Sequence, residues 1–204
     1  MDVRMKYRTG GEEMQSRIIS SFLAMIPGII GLCLLVAAIA TSSWLAISNV
    51  TSTSFQVLTY GLFSVCKNQV NNLATSATST IVCNTREEEA VGIDVLEQAT
   101  RSLMVISIIL HLPGIIAAIY FGLRKNIRRN SAIIPGAIFL VAALCAISGM
   151  GCYSAFMSNQ SSAIGPNSAA YRNAEPGMSF FLGWFGAVCA VISCVVAFVS
   201  HAIN

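Results

Sequence analysis

Charged side chains are what this sequence has least of. Of its 204 residues, 10% are Asp, Glu, Lys or Arg, against about 25% in an ordinary soluble domain. That scarcity excludes a typical water-surrounded globule. The formal net charge of +3 is small and divided among short polar segments. No basic face and no stripe of interleaved basic and aromatic residues is present, which excludes a nucleic-acid partner. Metal-ligand spacings are missing too, as are a phosphate loop and any convergent Ser/His/Asp or Cys/His set. The sequence therefore offers no catalytic residue, no metal site and no cofactor site, and a non-enzymatic role is expected.

What fills the chain instead is long uncharged runs rich in Ala, Gly and Ser. Four of them predict helices across a bilayer, at about 20 residues per crossing, over about 18–45, 103–123, 132–153 and 178–199. Ala38-x-Ala40 imitates a signal-peptidase site. The apolar run before it exceeds the usual length of about 7–15 residues, so an uncleaved signal anchor is expected. Pro27-Gly28 is tolerable inside such a helix. Ser20, Ala24 and Gly28 recur at every fourth position, a seam of small residues suited to close helix contact. Gly183 and Ala187, and Gly186, Ala190 and Cys194, repeat that spacing in the last span. His111 and Pro113 interrupt the second span. Because Pro113 has no N–H, the carbonyl of Ile109 loses its partner, and His111 is expected to serve backbone freed in this way. Cys33, Cys145, Cys152, Cys189 and Cys194 read as small apolar packing residues.

The flanks set the topology. Residues 1–17 are polar and predict a short disordered or interfacial tail. Arg124-Lys125-Asn126-Ile127-Arg128-Arg129 is a compact basic connection. By the positive-inside rule both termini and this connection face the cytoplasm. Two outer loops follow, 46–102 and 154–177. The first carries β-prone residues around Phe55, Val57, Thr59 and Gly61-Leu62-Phe63, and a second short strand at Thr80-Ile81-Val82-Cys83. Between them lies Asn/Ser/Thr-rich sequence expected as a hairpin tip. Cys66 and Cys83 lie in this loop, on the oxidising side, where thiols pair. Asn49-Val50-Thr51 and Asn159-Gln160-Ser161 are glycosylation sequons. The run Glu87-Glu88-Glu89 is either a solvated stretch or a charge-setting element at a pore. Phe156, Met157, Ile164 and Tyr171 give the second loop an apolar tip, a contact surface or packing on the first loop.

Trp44, then Gly61-Leu62-x-x-x-Cys66, then Cys83, between the first two of four spans, resembles the claudin and peripheral-myelin-protein superfamily. Arg101-x-Leu103-Met104, Gly136-x-Ile138-Phe139 and Ser179-x-x-x-Gly183-Trp184 are similar to the family's second, third and fourth spans, so the likeness runs over nearly the whole chain, 1–204 as one domain. Phe63 stands where claudins usually have Trp, and the interval from Cys66 to Cys83 is longer than usual. The chain ends Ala202-Ile203-Asn204, without the usual signal for PDZ scaffolds. The resemblance implies a four-helix transmembrane bundle bearing a small disulfide-stapled extracellular β-sheet. It also implies a plasma-membrane protein of cell–cell junctions, forming or regulating an adhesive or paracellular barrier. The partners would be the lipid bilayer and copies of itself or related four-span proteins, within one membrane and across two. Leu62, Phe63, Phe156 and Met157 are the candidate contacts. Asn84, Arg86, Glu87, Glu88 and Glu89 are the candidate ion-selecting residues, with a weak cation preference. The alternative that the family offers is an auxiliary subunit or trafficking partner of an ion channel or receptor.

Overall fold

Four helices follow the four apolar segments, and a sheet fills much of the sequence between the first two. The computed structural model describes residues 3–50, 54–71, 78–85, 95–123, 133–163 and 174–203. In chain order the elements are α1 (Val3–Ala40), β1 (Leu45–Val50), β2 (Ser54–Tyr60), β3 (Ser64–Asn71), β4 (Thr78–Thr85), α2 (Val95–Leu123), α3 (Ile133–Ala163), β5 (Ala174–Pro176) and α4 (Met178–Ile203). Within them, Phe22–Ala40, Val95–Phe121, Ile133–Ser158 and Met178–Ser200 are long and apolar enough to cross a membrane.

Several boundaries differ from expectation. The backbone of α1 is helical from Val3, so the polar residues 3–17 continue the first helix and are not a separate tail. A helix already nucleated by the apolar run extends at little cost through residues such as Arg8, Glu12, Glu13 and Met14, which are good helix formers. Leu45, placed in the first span, starts β1. The second helix begins at Val95 rather than at the end of the first loop, and α3 continues to Ala163. Nothing in water stops a helix where the hydrocarbon stops, so both overrun it. Gly61-Leu62-Phe63 is a turn between β2 and β3 and not strand. The basic connection Arg124–Arg129, the run Arg86–Glu89, and Ile164 and Tyr171 lie outside the described residues.

The chain forms two compact units. The first comprises Met1–Cys33, Val105–Ile147 and Phe185–Asn204. Its centre is the ring of Phe139, fully buried with Ala118, Cys194, Ile115 and Phe198 around it. A methyl added at Gly28 would stand 3.1 Å from that ring, and one at Gly114 3.0 Å. Glycine at both positions therefore lets α1 and α2 close on one aromatic ring. Such close packing matters because lipid supplies no hydrophobic drive between helices. His111 is fully buried here, with Nδ1 at 2.8 Å from the Ser107 carbonyl. That carbonyl only accepts, so Nδ1 carries the proton. The partner is thus the carbonyl of Ser107 and not that of Ile109. Ser107 Oγ donates to the carbonyl of Ala142 at 2.8 Å, tying α2 to α3. Large apolar residues such as Ile116 (65% exposed) and Phe185 (62%) point outward, as lipid-facing residues do.

The second unit comprises Leu34–Met104 and Ser148–Trp184. Its sheet is antiparallel with strand order β4-β3-β2-β1-β5. The short β5 precedes α4 and pairs Leu45 with Pro176 and Ala46 with Glu175, so both loops build one sheet. Gly177 follows at once, and its N–H donates to the carbonyl of Trp44 at 3.0 Å. A side chain at Gly177 would collide with the Ser43 carbonyl, whereas one at Gly151 would meet nothing within 4 Å. We expect Gly177→Ala to destabilise the protein by about 1–3 kcal/mol through overpacking and to lower the melting temperature in detergent. Gly151→Ala, inside α3, should leave it at least as stable; equal melting temperatures for the two variants would contradict this packing.

Candidate functional site

The site is the base of the sheet, where the sheet meets the helix ends of its own unit. Helix α1 stops at Ala40 and leaves unpaired carbonyls, as every helix end does. Thr41 N and Thr41 Oγ1 both donate to the Ala37 carbonyl, at 3.1 and 2.7 Å. The next carbonyl, Ala38, accepts the indole Nε1–H of Trp44 at 2.6 Å. Trp44 is fully buried, and a buried indole N–H needs such a partner. Its ring meets Tyr153 edge-on at 4.7 Å, and Tyr153 in turn contacts Phe156 and Phe180 at 5.7 and 6.0 Å. Trp44 N donates to the Tyr60 carbonyl at 2.8 Å, the end of β2. One residue thus joins α1, β2, α3 and the start of α4.

The start of α4 is bound to the same place. Ser179 N donates to the Ser43 carbonyl at 3.1 Å, and Ser179 Oγ bonds Thr41 Oγ1 at 2.6 Å. Gly61 packs on this segment so closely that an added Cβ would lie 2.7 Å from Ser42 Cα. Leu62 is fully buried beside it, with Leu45 and Val65 also in the core. This corrects Leu62 as a contact residue: its side chain is core. Phe156 is corrected likewise. It is 6% exposed, because α3 runs on past its expected end and turns that ring onto Tyr153. Met157 is half-buried. Phe63 remains 45% exposed.

An ion pair that the motifs did not single out underlies Phe63. Glu97 is fully buried, and its Oε1 accepts from an Arg101 guanidinium nitrogen at 2.7 Å. The guanidinium carbon lies 5.3 Å from the centre of the Phe63 ring, a cation–π distance. The spacing of four residues on one helix was a legible sign of the Glu97–Arg101 pair. One turn along, Thr100 Oγ1 lies 3.1 Å from the Gly149 carbonyl, joining α2 to α3.

Beside the base, where Cys66 Sγ lies 3.4 Å from Ser42 Oγ, Cys66 and Cys83 stand opposite each other in β3 and β4 and are disulfide-bonded. Cys33, Cys145, Cys152, Cys189 and Cys194 are free. β4 is a sheet edge. Ile81 and Val82, 67% and 55% exposed, are neighbours in a strand and so point to opposite faces. Asn84 is exposed near the strand's end, while Arg86, Glu87, Glu88 and Glu89 lie outside the described residues. Asn49 lies in β1, paired with Gln56, and Asn159 lies in the last turns of α3. Among the described residues no cluster of His, Cys, Asp and Glu is able to hold a metal ion.

The sequence profile of the PMP-22/EMP/MP20/Claudin family matches residues 16–197. The chain belongs to that family. The four spans, the small antiparallel sheet and the Cys66–Cys83 disulfide make it a claudin-like multi-pass membrane protein. A search of the curated proteins finds no match to it.

The staple and the ion pair yield one prediction each. With a sequence separation of 17 between the bridged cysteines, the chain-entropy account assigns the bridge about 3 kcal/mol. Cys66→Ser should therefore lower the melting temperature by several degrees, and reductant should do the same to wild type but nothing to the variant. A reductant effect that persists in Cys66→Ser would point to another disulfide. Arg101→Met should cost about 3–5 kcal/mol, because it removes the guanidinium that balances the charge of the buried Glu97 carboxylate. The double change Glu97→Gln, Arg101→Met should recover a large part of that loss. A double variant no more stable than Arg101→Met, in thermal unfolding, would deny the coupling.

Proposed function

We propose that this chain is a claudin-like junction protein of the plasma membrane, in which the sheet makes adhesive, barrier-forming contacts with copies of itself or related four-span proteins. The observation that carries the reading is β4. It is an edge strand, and it exposes Ile81 and Val82 on both of its faces. Proteins that stay monomeric blunt such edges with charge, proline or cover. The disulfide directly on it and the hydrogen bonds from the base of the sheet to the end of α1 and the start of α4 hold this edge in place. An apolar edge on a stiff mount suits repeated contacts between sheets.

Topology supports the same reading. A disulfide belongs on the oxidising side of the membrane, which supports a sheet outside and both termini in the cytoplasm. Asn49, in β1, then lies on the side where glycans are added, as does Asn159. Near Asn84 the sequence turns acidic with Glu87, Glu88 and Glu89, opposed by Arg86. Acidic side chains in a narrow lumen raise the local cation concentration, and screening confines this to about 8 Å at physiological salt. A conducting assembly would therefore show a weak cation preference.

The test is expression in a polarised epithelial layer that lacks the protein. We expect enrichment at cell borders, raised or ion-selective paracellular resistance, and crosslinked oligomers. Ile81→Asp with Val82→Asp should abolish oligomers and border enrichment while leaving surface delivery intact. Stoichiometric co-purification with one channel, without border enrichment, would overturn the junction role in favour of an auxiliary subunit.

A further inference from the structure

Phe63 is the odd residue of the sheet base. Gly61 and Leu62 are buried in the same turn, yet Phe63 leaves 45% of its surface open. The turn sits at a definite level. It lies against Thr41 and Ser42, immediately after apolar α1 ends. Thr41 is bonded to Ser179 in the first turn of α4. Arg101, under the Phe63 ring, stands just before the uncharged run Leu103–Leu123. That run is about 20 residues, hence about 30 Å long at 1.5 Å per residue, the thickness of a hydrocarbon core. Three spans therefore cross the same boundary at the height of this ring. The first turns of α4 expose Met178 (71%), Phe181 (45%) and Trp184 (36%) near that boundary, and Trp is a residue of membrane interfaces.

We propose that Phe63 is a lipid anchor: its open face inserts at the headgroup–acyl boundary of the leaflet on the sheet's side, and Arg101 is the positioning residue that sets the ring there. An exposed ring at this height is removed from water by the bilayer without any protein partner. The Arg101 side chain is 14% exposed and lies between the buried Glu97 and the ring. Arg101 is fixed by Glu97 at 2.7 Å, so the ring rests on a support that cannot swing. This reading rests on the four membrane spans alone and stands whether or not the protein works at junctions. It moves Phe63 from the surface that meets other proteins to the surface that meets lipid.

Photo-crosslinking distinguishes the two. The full chain carries p-benzoylphenylalanine in place of Phe63 or, separately, of Ile81. Each protein is reconstituted at high density in phosphatidylcholine vesicles and irradiated, and the adducts are read by intact mass. Retention of the Cys66–Cys83 disulfide checks the fold. We expect phospholipid adducts at position 63 and at least tenfold fewer at position 81. Adding Arg101→Gln should reduce the yield at 63 severalfold. Adducts at 63 that join two copies of the chain, equal lipid yields at 63 and 81, or no adduct at 63 would each overturn the anchor. A yield unmoved by Arg101→Gln would overturn the positioning role.

Discussion

The hydrogen bond from the Trp44 indole to the Ala38 carbonyl, 2.6 Å long and fully buried, is the interaction on which the rest of this unit depends. It solves two problems at once. A helix leaving the bilayer must satisfy its last carbonyls, and a large indole buried among apolar residues must satisfy its N–H. Because one bond does both, the place where α1 ends and the place where the sheet begins are the same place. The backbone of Trp44 then serves Tyr60 on one side and Gly177 on the other. β2 and the approach to α4 are thereby fixed relative to the end of α1. A buried group left unpaired costs about 1–3 kcal/mol, so the bond resists any rearrangement that would slide the sheet.

This explains which parts of the family signature carry structure and which are left for contact. Gly61 and Gly177 are glycine because backbone approaches them too closely for a side chain. Leu62 fills the core, and Arg101 is clamped to Glu97. What remains outward at the base is Phe63, and what remains outward at the far edge is Ile81 and Val82. Mount and contact surfaces are thus separated along the sheet. The disulfide ties the edge strand β4 to β3.

The four spans were plain in the sequence, because an uncharged run of the length of a bilayer has few other uses. The cysteine pair and the strand around Ile81 were legible for similar reasons, one from compartment and one from β-branched residues. Three things were not. Helix ends beyond the hydrocarbon carry no compositional mark, so α2 and α3 overran their expected limits and Phe156 moved from a loop tip into the core. β5 spans only Ala174–Pro176, too short for any periodicity, and its pairing with β1 is a tertiary effect. The Glu97–Arg101 pair was visible as a spacing, but its burial under Phe63 depends on a turn more than thirty residues earlier in the chain.

The central claim is that Trp44 holds the sheet through its indole N–H and not merely through its bulk. Phe in place of Trp44 keeps an aromatic ring and removes only the donor and part of the area. Amide hydrogen exchange of wild type and Trp44→Phe in lipid nanodiscs tests this directly. Exchange should quicken at Ala46, Gly177 and Ser179 and along β1 and β5, by about tenfold for each 1.4 kcal/mol lost, while residues 105–121 of α2 stay as protected as before. Unchanged protection at those sheet and junction amides in Trp44→Phe would show that the sheet is held by packing alone.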